Sequence, residues 1–153
     1  TRMANAISNA SEFSFVFVDC PPSLNLLTLN SLVASDAVLV PLQCEFFALE
    51  GLSQLMKTVR EVRNAANARL KIQGVVLTMY DQRNNLSGQV ERDVRDNLGE
   101  LVYSTVIPRN VRLSEAPSYG IPGVIYDRKS AGSAAYRRLA REFLAKTMPA
   151  VAA

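Results

Sequence analysis

The chain has 153 residues, a formal net charge of +3 and no histidine. This length predicts a single domain over residues 1–153, and 48% hydrophobic with 20% charged residues is an ordinary globular composition. The lack of histidine excludes a Ser-His-Asp triad, a Cys-His pair and any histidine-bearing zinc site. The two cysteines, Cys20 and Cys44, are too few for a zinc site or a disulfide scaffold, and no apolar run is long enough to span a bilayer. We therefore expect a cytoplasmic protein that does not enter a membrane.

The positive charge is concentrated in the last third of the chain. Residues 1–100 contain nine lysines and arginines against eleven aspartates and glutamates, a net charge of −2. Residues 101–153 contain eight against three, a net charge of +5. This asymmetry favours an anionic partner that contacts the C-terminal part. A solvated basic helix is the alternative that charge alone leaves open.

Helical and strand patterns alternate in the first part of the chain. Residues 1–10 carry Met3, Ile7 and Ala10 at helical spacing without a cap, which is typical of the end of a longer helix. The aromatic and β-branched run 13–18 predicts a strand. After a helix, a second strand is predicted at 36–42.

The same alternation continues to the end of the chain. A long amphipathic helix is predicted at 49–67, a strand at 72–78, and a helix from Leu86 to Leu98 in which apolar residues recur every four positions. Gly99 is expected to stop that helix, and Ser87 is one candidate for its cap. The remaining elements are a strand at 102–107, an ordered loop at 108–133 with room for one short helix, and a final helix from Tyr136 that Pro149 ends.

The near-continuous apolar character of the four strands defines the expected fold class. Such runs are typical of strands that helices cover on both faces, so we predict an α/β fold with a mostly parallel sheet. Four strands make a small sheet with an unsatisfied edge. We therefore expect the C-terminal part of a larger α/β protein; a complete small domain with a frayed terminal helix is the alternative.

The segment from Phe15 to Ser23 carries the sharpest chemical pattern. A hydrophobic run that ends in Asp19 places a carboxylate at the carboxyl edge of a parallel sheet, where open α/β folds bind ligands. A Walker B aspartate occupies such a position and holds Mg²⁺, directly or through water, beside nucleotide phosphates. An aspartate that merely caps the next helix is the alternative. The tetrapeptide Asp-Cys-Pro-Pro, with its rigid proline pair, favours the magnesium site.

Five segments resemble the ParA/Soj family of chromosome-partitioning ATPases. They begin with Asp-Cys-Pro-Pro-Ser-Leu-Asn at Asp19 and end with Tyr-Asp-Arg-Lys-Ser-Ala-Gly at Tyr126; the five ranges are 19–30, 41–55, 77–87, 106–122 and 126–136. The segments follow the order of the family, and the resemblance covers residues 13–147. It implies a partial P-loop NTPase-like fold, with a mostly parallel sheet flanked by helices and without the N-terminal P-loop half.

One family feature is missing from the sequence. Members carry a phosphate-binding loop of the KGGxGKT type and a catalytic aspartate in switch I, whereas this chain contains no GKT or GKS. A P-loop holds phosphates with its backbone N–H groups and balances their charge with its lysine. We therefore expect no tight ATP binding and no ATP turnover by this chain alone. The missing half would have been cut away, lost, or supplied by another chain.

The resemblance also implies roles for individual residues in the nucleotide site. Asp19 resembles the Walker B residue that supports Mg²⁺ and catalysis. Thr78 and Met79 resemble the positions beside the adenine, and Pro108 and Arg109 resemble the adenine-flanking loop. Core packing is the alternative for Thr78 and Met79, and a strand-ending turn is the alternative for Pro108.

Two arginines resemble positions that the family uses for nonspecific DNA binding. They are Arg83, in the Asp-Gln-Arg-Asn-Asn turn, and Arg112, in Arg-Asn-Val-Arg. Phosphate contacts of this kind give sequence-independent, salt-sensitive affinity, and no base-reading signature is visible. Further basic residues could extend the patch, but those on the last helix are expected to form a solvated face that pairs with Glu142; the further basic residues are Arg128, Lys129, Arg137, Arg138 and Arg141.

Taken together, these features predict a partitioning protein of the ParA family. The resemblance implies an intact protein that binds ATP and Mg²⁺, forms an ATP-dependent homodimer, binds nucleoid DNA in the bacterial cytoplasm and hydrolyses ATP when a ParB-type partner stimulates it. One alternative is a catalytically inactive ParA-like DNA-binding or interaction module. Another is a MinD-like membrane-cycling ATPase, whose amphipathic terminal helix the short, apolar, proline-broken end at 148–153 does not match.

Overall fold

Two neighbouring parallel strands, β1 (Ala37–Gln43) and β2 (Lys71–Thr78), form the sheet of the computed structural model, which describes residues 2–10, 12–21, 23 and 25–148. Lys71 N–H donates to the carbonyl of Asp36 near one end of the pair, and Cys44 N–H donates to that of Thr78 at the other. The helices are α1 (Arg2–Ser8), α2 (Leu26–Ala34), α3 (Ala48–Ala65), α4 (Asn85–Leu98), α5 (Val111–Glu115), α6 (Gly123–Tyr126) and α7 (Ala131–Thr147), with 3₁₀ turns at Gly99–Leu101 and Ala116–Tyr119. The α/β fold class is confirmed.

Polar caps set the ends of the helices. The Asn25 side chain accepts hydrogen bonds from the first amides of α2, and the Asn84 side chain accepts one from Leu86 at the start of α4. Ser87 therefore does not cap α4; its hydroxyl is buried and donates to the Cys44 carbonyl at 3.5 Å. Gly99 ends α4 with a φ of 52°, which confirms the predicted stop.

The chain divides into two compact units, and the first consists of Thr1–Leu39 and Glu50–Gln73. Its apolar core joins α2, α3 and the residue before β2; the buried members are Leu32, Val59, Val62 and Leu70. The Asn67 amide closes this core with hydrogen bonds to the carbonyls of Leu32 and Ser35, at 3.1 and 2.7 Å. The first unit is thus a helical layer packed on the beginning of the two strands.

The second unit consists of Val40–Leu49 and Gly74–Ala153. In it, the predicted strand 102–107 follows β2 only at intervals: Tyr103 N–H donates to the Val75 carbonyl and Ile107 N–H to the Leu77 carbonyl, both at 2.9 Å. Gly74 allows this approach, because a Cβ there would lie 2.5 Å from a Tyr103 ring carbon. The predicted fourth strand is therefore a segment bridged to β2 rather than a continuous ladder.

Two further stretches differ from the sequence prediction. Residues 13–18 form no strand, and the Phe13 and Phe17 side chains are 62% and 70% exposed. A strand exists through its ladder hydrogen bonds, and the described sheet contains β1 and β2 alone. The stretch 108–133 contains more helix than predicted, namely α5, a 3₁₀ turn and α6. No helix in the described part of the chain has the length and apolar character needed to cross a membrane.

Candidate functional site

The carboxyl end of β2 borders a cavity of about 260 Å³ in the second unit. Three of the four residues expected beside a nucleotide base, Thr78, Met79 and Pro108, lie together in its wall. They meet there because Tyr80 N–H donates to the Ile107 carbonyl at 3.1 Å and Arg109 N–H donates to the Tyr80 carbonyl at 2.9 Å. The full wall consists of Pro41, Thr78, Met79, Ile107, Pro108, Asn110, Leu113, Ser114 and Tyr136.

Met79 has an unusual backbone conformation in this wall. Its φ is 53°, which no other residue except glycine shares within the described ranges. A non-glycine residue in this region costs about 1–3 kcal/mol, and such strain clusters at functional sites. The Met79 side chain is also 37% exposed. It therefore lines the cavity surface and is not a core residue.

Leu113 also lines the cavity and lies close to two glycines. A Cβ at Gly132 would lie 2.5 Å from Leu113 Cδ1, and a Cβ at Gly123 would lie 2.6 Å from Leu113 Cδ2. The Asn110 side chain fixes the start of α5 by accepting the Leu113 N–H at 3.3 Å. The absence of side chains at the two glycines thus lets α5, α6 and α7 converge on this wall.

Sequence reasoning missed Asn110, Leu113 and Tyr136 as wall residues. The sequence places Tyr136 only at the start of the final helix, whereas the structure shows that it is 41% exposed and borders the cavity. The glycines at 123 and 132 were the available signal, because small residues mark places where elements approach closely. Their partner, however, could not be read from one sequence, since the contacts join separate elements.

The wall of the cavity is mainly apolar in composition. Most of the surface comes from proline, methionine, isoleucine, leucine and tyrosine, and the polar groups belong to Thr78, Asn110 and Ser114. Binding pockets usually combine an apolar lining with a few polar groups that set orientation. Pockets for whole drug-sized ligands occupy about 300–1,000 Å³, so this cavity, at about 260 Å³, is smaller than that range.

Asp19 belongs to the first unit, whereas the cavity belongs to the second. It is exposed and lies in an irregular segment, directly after Val18, whose carbonyl accepts the Cys20 thiol at 3.7 Å. The structure gathers no group of three or more acidic or cysteine side chains that could hold a metal within its described ranges. Asp19 is an accessible carboxylate outside any such group; Pro22, the second proline of its motif, lies outside the described residues.

Arg109 is not part of the cavity wall. It is exposed, and its backbone N–H is the group that bonds to Tyr80. Its positive charge contributes to the lowered pKa of Asp81, although the main cause is the hydrogen bond from Arg83.

The two arginines expected to bind DNA both form ion pairs. The Arg83 guanidinium donates hydrogen bonds to both carboxylate oxygens of Asp81, at 3.1 and 3.0 Å. Arg112 Nη1 lies 3.0 Å from Glu115 Oε2, and its Nε lies 3.6 Å from Asp127 Oδ2. Hydrogen bonds to these carboxylates raise the pKa of both arginines. Both guanidiniums remain at the surface.

The basic residues of α7 have different surroundings. Arg137 donates to the Arg128 carbonyl at 2.7 Å, and Arg138 and Arg141 are exposed. Glu142 was expected to pair with these arginines, but its described ion pair is with Lys146 at 3.8 Å. The carboxylate instead accepts the backbone N–H groups of residues 104 and 105.

Comparison with known proteins identifies the fold class of this chain. The family model described as an AAA domain matches residues 2–72. The chain also superimposes, with a TM-score of 0.73 and 37% identity, on cobyrinic acid a,c-diamide synthase from Mycobacterium smegmatis, solved with a bound ATP analogue and magnesium; the match covers 94% of this chain and 52% of the other. The fold is thus that of a P-loop NTPase-like α/β protein.

Two curated relatives connect the chain with the ParA and Soj proteins. The chain is 62% identical over 141 residues to the chromosome partitioning protein ParA of Caulobacter vibrioides, a match that covers 92% of this chain and 53% of the relative. It is 55% identical over 145 residues to the sporulation initiation inhibitor protein Soj of Bacillus subtilis, covering 94% and 57%. The chain is therefore a relative of the ParA/Soj partitioning proteins, as its motifs predict, and it spans about half their length.

Proposed function

We propose that this chain is the part of a ParA-type partitioning ATPase that extends from the Walker B aspartate to the C-terminal helix. The observation that carries the proposal is the 62% identity to a chromosome partitioning protein over nine-tenths of the chain. The cavity adds independent support, because Thr78, Met79 and Pro108 line it together as the family resemblance requires. The proposed protein binds ATP and Mg²⁺, dimerises, and works on nucleoid DNA in the bacterial cytoplasm with a ParB-type partner.

In this proposal the second unit binds the base of ATP. Met79, Pro108 and Leu113 supply apolar contacts to the ring, and Thr78 and Asn110 supply polar groups at its edge. Arg109 follows Pro108 and flanks the site from the surface. These residues position the nucleotide and make no covalent contribution to hydrolysis.

Asp19 would support the magnesium ion. Mg²⁺ prefers oxygen ligands, keeps several waters, and commonly binds one or two carboxylates together with substrate phosphates. The exposed carboxylate of Asp19 fits that pattern. The ion, when bound, stabilises the charge that develops on the phosphates during transfer. The role of Asp19 in this proposal is to hold the magnesium ion beside the phosphates.

The exposed run at 13–18 would become a strand in the longer protein. Its aromatic and β-branched residues have strong strand propensity, and the described sheet consists of β1 and β2. The relatives are about twice as long as this chain, and we expect their additional sequence to supply a strand that pairs with this run. Residue Asp19 would then stand at the end of a paired strand.

A chimera tests the nucleotide proposal. The residues of the Caulobacter protein that precede the matched region would be joined to this chain, and Mg²⁺-dependent ATP hydrolysis would be compared with that of the chain alone. We expect turnover by the chimera and none above background by the isolated chain. Asp19→Ala should abolish turnover in the chimera, whereas Asp96→Ala, an exposed carboxylate on α4, should leave it unchanged.

The same chimera separates the nucleotide proposal from its rivals. Hydrolysis by the isolated chain would contradict the need for the missing half, and normal turnover of the Asp19→Ala chimera would contradict the assigned role of Asp19. A folded chimera that binds duplex DNA but no nucleotide would identify the inactive DNA-binding module. Binding to anionic lipid vesicles would favour the MinD-like alternative, whose terminal helix would fall in 148–153, a range described only at Met148.

A further inference from the structure

The two candidate DNA-binding arginines are accompanied by more negative charge than they carry themselves. Asp81 faces Arg83, and both Glu115 and Asp127 face Arg112. Two guanidiniums thus lie among three carboxylates. A phosphate group that approaches either arginine meets a site that is already neutralised.

Arg83 and Asp81 differ strongly in exposure. The Arg83 side chain is 89% exposed, whereas that of Asp81 is 23% exposed. Asp81 is also tied to the turn, because its Oδ1 accepts the backbone N–H of Arg83 at 3.0 Å. The partly buried carboxylate is therefore fixed in the turn, and the arginine can move toward solvent while the turn is retained.

The carboxylates at Arg112 are anchored in a similar way. Glu115 Oε2 also accepts the Tyr126 hydroxyl at 3.3 Å. Asp127 Oδ1 accepts the N–H groups of Lys129 and Ser130, both at 3.1 Å, which leaves Oδ2 toward Arg112. The arginine has the more exposed side chain of this group, at 56%. Both arginines thus have a fixed carboxylate behind an accessible guanidinium.

We propose that Asp81 and Glu115 act as built-in competitors that lower the affinity of this surface for duplex DNA. This inference rests on the proposed DNA binding by Arg83 and Arg112. Exposed ion pairs are weak, so a bidentate phosphate can displace them. Because the ion pair is lost when the phosphate displaces it, each phosphate contact contributes less to the free energy of DNA binding. The surface therefore binds DNA more weakly than its arginines alone would allow, which suits reversible attachment.

The test compares neutralising variants of this chain in a binding titration. A fluorescent duplex of arbitrary sequence would be titrated at low salt with the wild type, Asp81→Asn, Glu115→Gln and the control Asp96→Asn. The control removes the same charge from an exposed site on α4. We expect Asp81→Asn and Glu115→Gln each to raise the affinity about two- to fivefold above the control, the range that an exposed ion pair represents.

Two arginine variants separate this inference from the function on which it rests. When Asp81→Asn is added to Arg83→Ala, the affinity for DNA should rise no more than it does for Asp96→Asn, because Asp81 then has no arginine to pair with. If Arg83→Ala and Arg112→Ala weaken binding but Asp81→Asn and Glu115→Gln gain nothing over the control, the competition is refuted and DNA binding stands. A loss of affinity in the neutralised variants would show that the carboxylates orient the arginines instead. If the arginine variants bind DNA as the wild type does, or if no variant binds, both proposals fail.

Discussion

The backbone N–H of Ser104 donates a 2.7 Å hydrogen bond to the carboxylate of Glu142, 38 residues further along the chain. The second carboxylate oxygen accepts the N–H of Thr105 at 2.9 Å. Lys146, one turn later on α7, lies 4.3 Å from the centre of the Tyr103 ring. The Glu142 side chain of α7 thus accepts hydrogen bonds from backbone N–H groups of the segment that leads to Ile107 and the cavity. In a longer sheet, a neighbouring strand would accept such hydrogen bonds.

Replacement of Glu142 by Gln should weaken this attachment. The amide has one acceptor oxygen for two N–H donors, so we expect a loss of about 1–2 kcal/mol in the free energy of unfolding at pH 7. Urea denaturation of the variant and the wild type measures the difference. Glu61→Gln, an exposed glutamate on α3, is the control and should change stability by less than about 0.5 kcal/mol.

The effect of Glu142 should also depend on pH. Its burial opposes ionisation, but the hydrogen bonds from residues 104 and 105 outweigh that burial and hold its pKa below the ordinary value of 4.5. A carboxylate with a lowered pKa stabilises the fold above its unfolded-state pKa, and this contribution disappears as the pH falls through the folded-state pKa. The stability gap between wild type and Glu142→Gln should therefore shrink below about pH 4.5. A gap that stays constant to pH 3 would contradict this.

Gly132→Ala should disturb the cavity wall despite its place in a helix. Alanine normally stabilises a helix by about 1 kcal/mol relative to glycine, but this Cβ would lie 2.5 Å from Leu113 Cδ1. We expect a net destabilisation of about 1–3 kcal/mol, as overpacked cores show. Gly51→Ala on α3 has no atom within 4 Å of its new Cβ and should stabilise the chain. Equal thermal midpoints for the two variants would refute the close approach.

The backbone at Met79 gives a further prediction. A β-branched residue is strongly disfavoured at positive φ, so Met79→Val should cost about 1–2 kcal/mol more than Met79→Leu, which has similar bulk and no branch at Cβ. Urea denaturation of both variants measures this difference. Indistinguishable midpoints would mean that the backbone at position 79 is relaxed in solution.

Local patterns predicted most of the helices. Periodicity identified α3 and α4, whereas Thr78, Met79 and Pro108 were named together only through the resemblance to a known family. The hydrogen bond from the Ser104 N–H to Glu142 was not predictable, because an isolated glutamate on a basic helix gives no sign of a partner 38 residues away. The strand at 13–18 failed for a related reason: strand propensity says nothing about whether a neighbour is present to pair with it.

The salt dependence of DNA binding tests the role of the surface arginines. The double change Arg83→Ala and Arg112→Ala removes two proposed phosphate contacts. It should lower affinity for duplexes of any sequence and reduce the slope of log affinity against log salt concentration by about 1.8, since each contact contributes roughly 0.9. The matched control Arg138→Ala with Arg141→Ala removes the same charge from exposed positions on α7. It should leave the slope nearly unchanged; an equal fall in both pairs would mean that binding responds to net charge and not to the surface formed by Arg83 and Arg112.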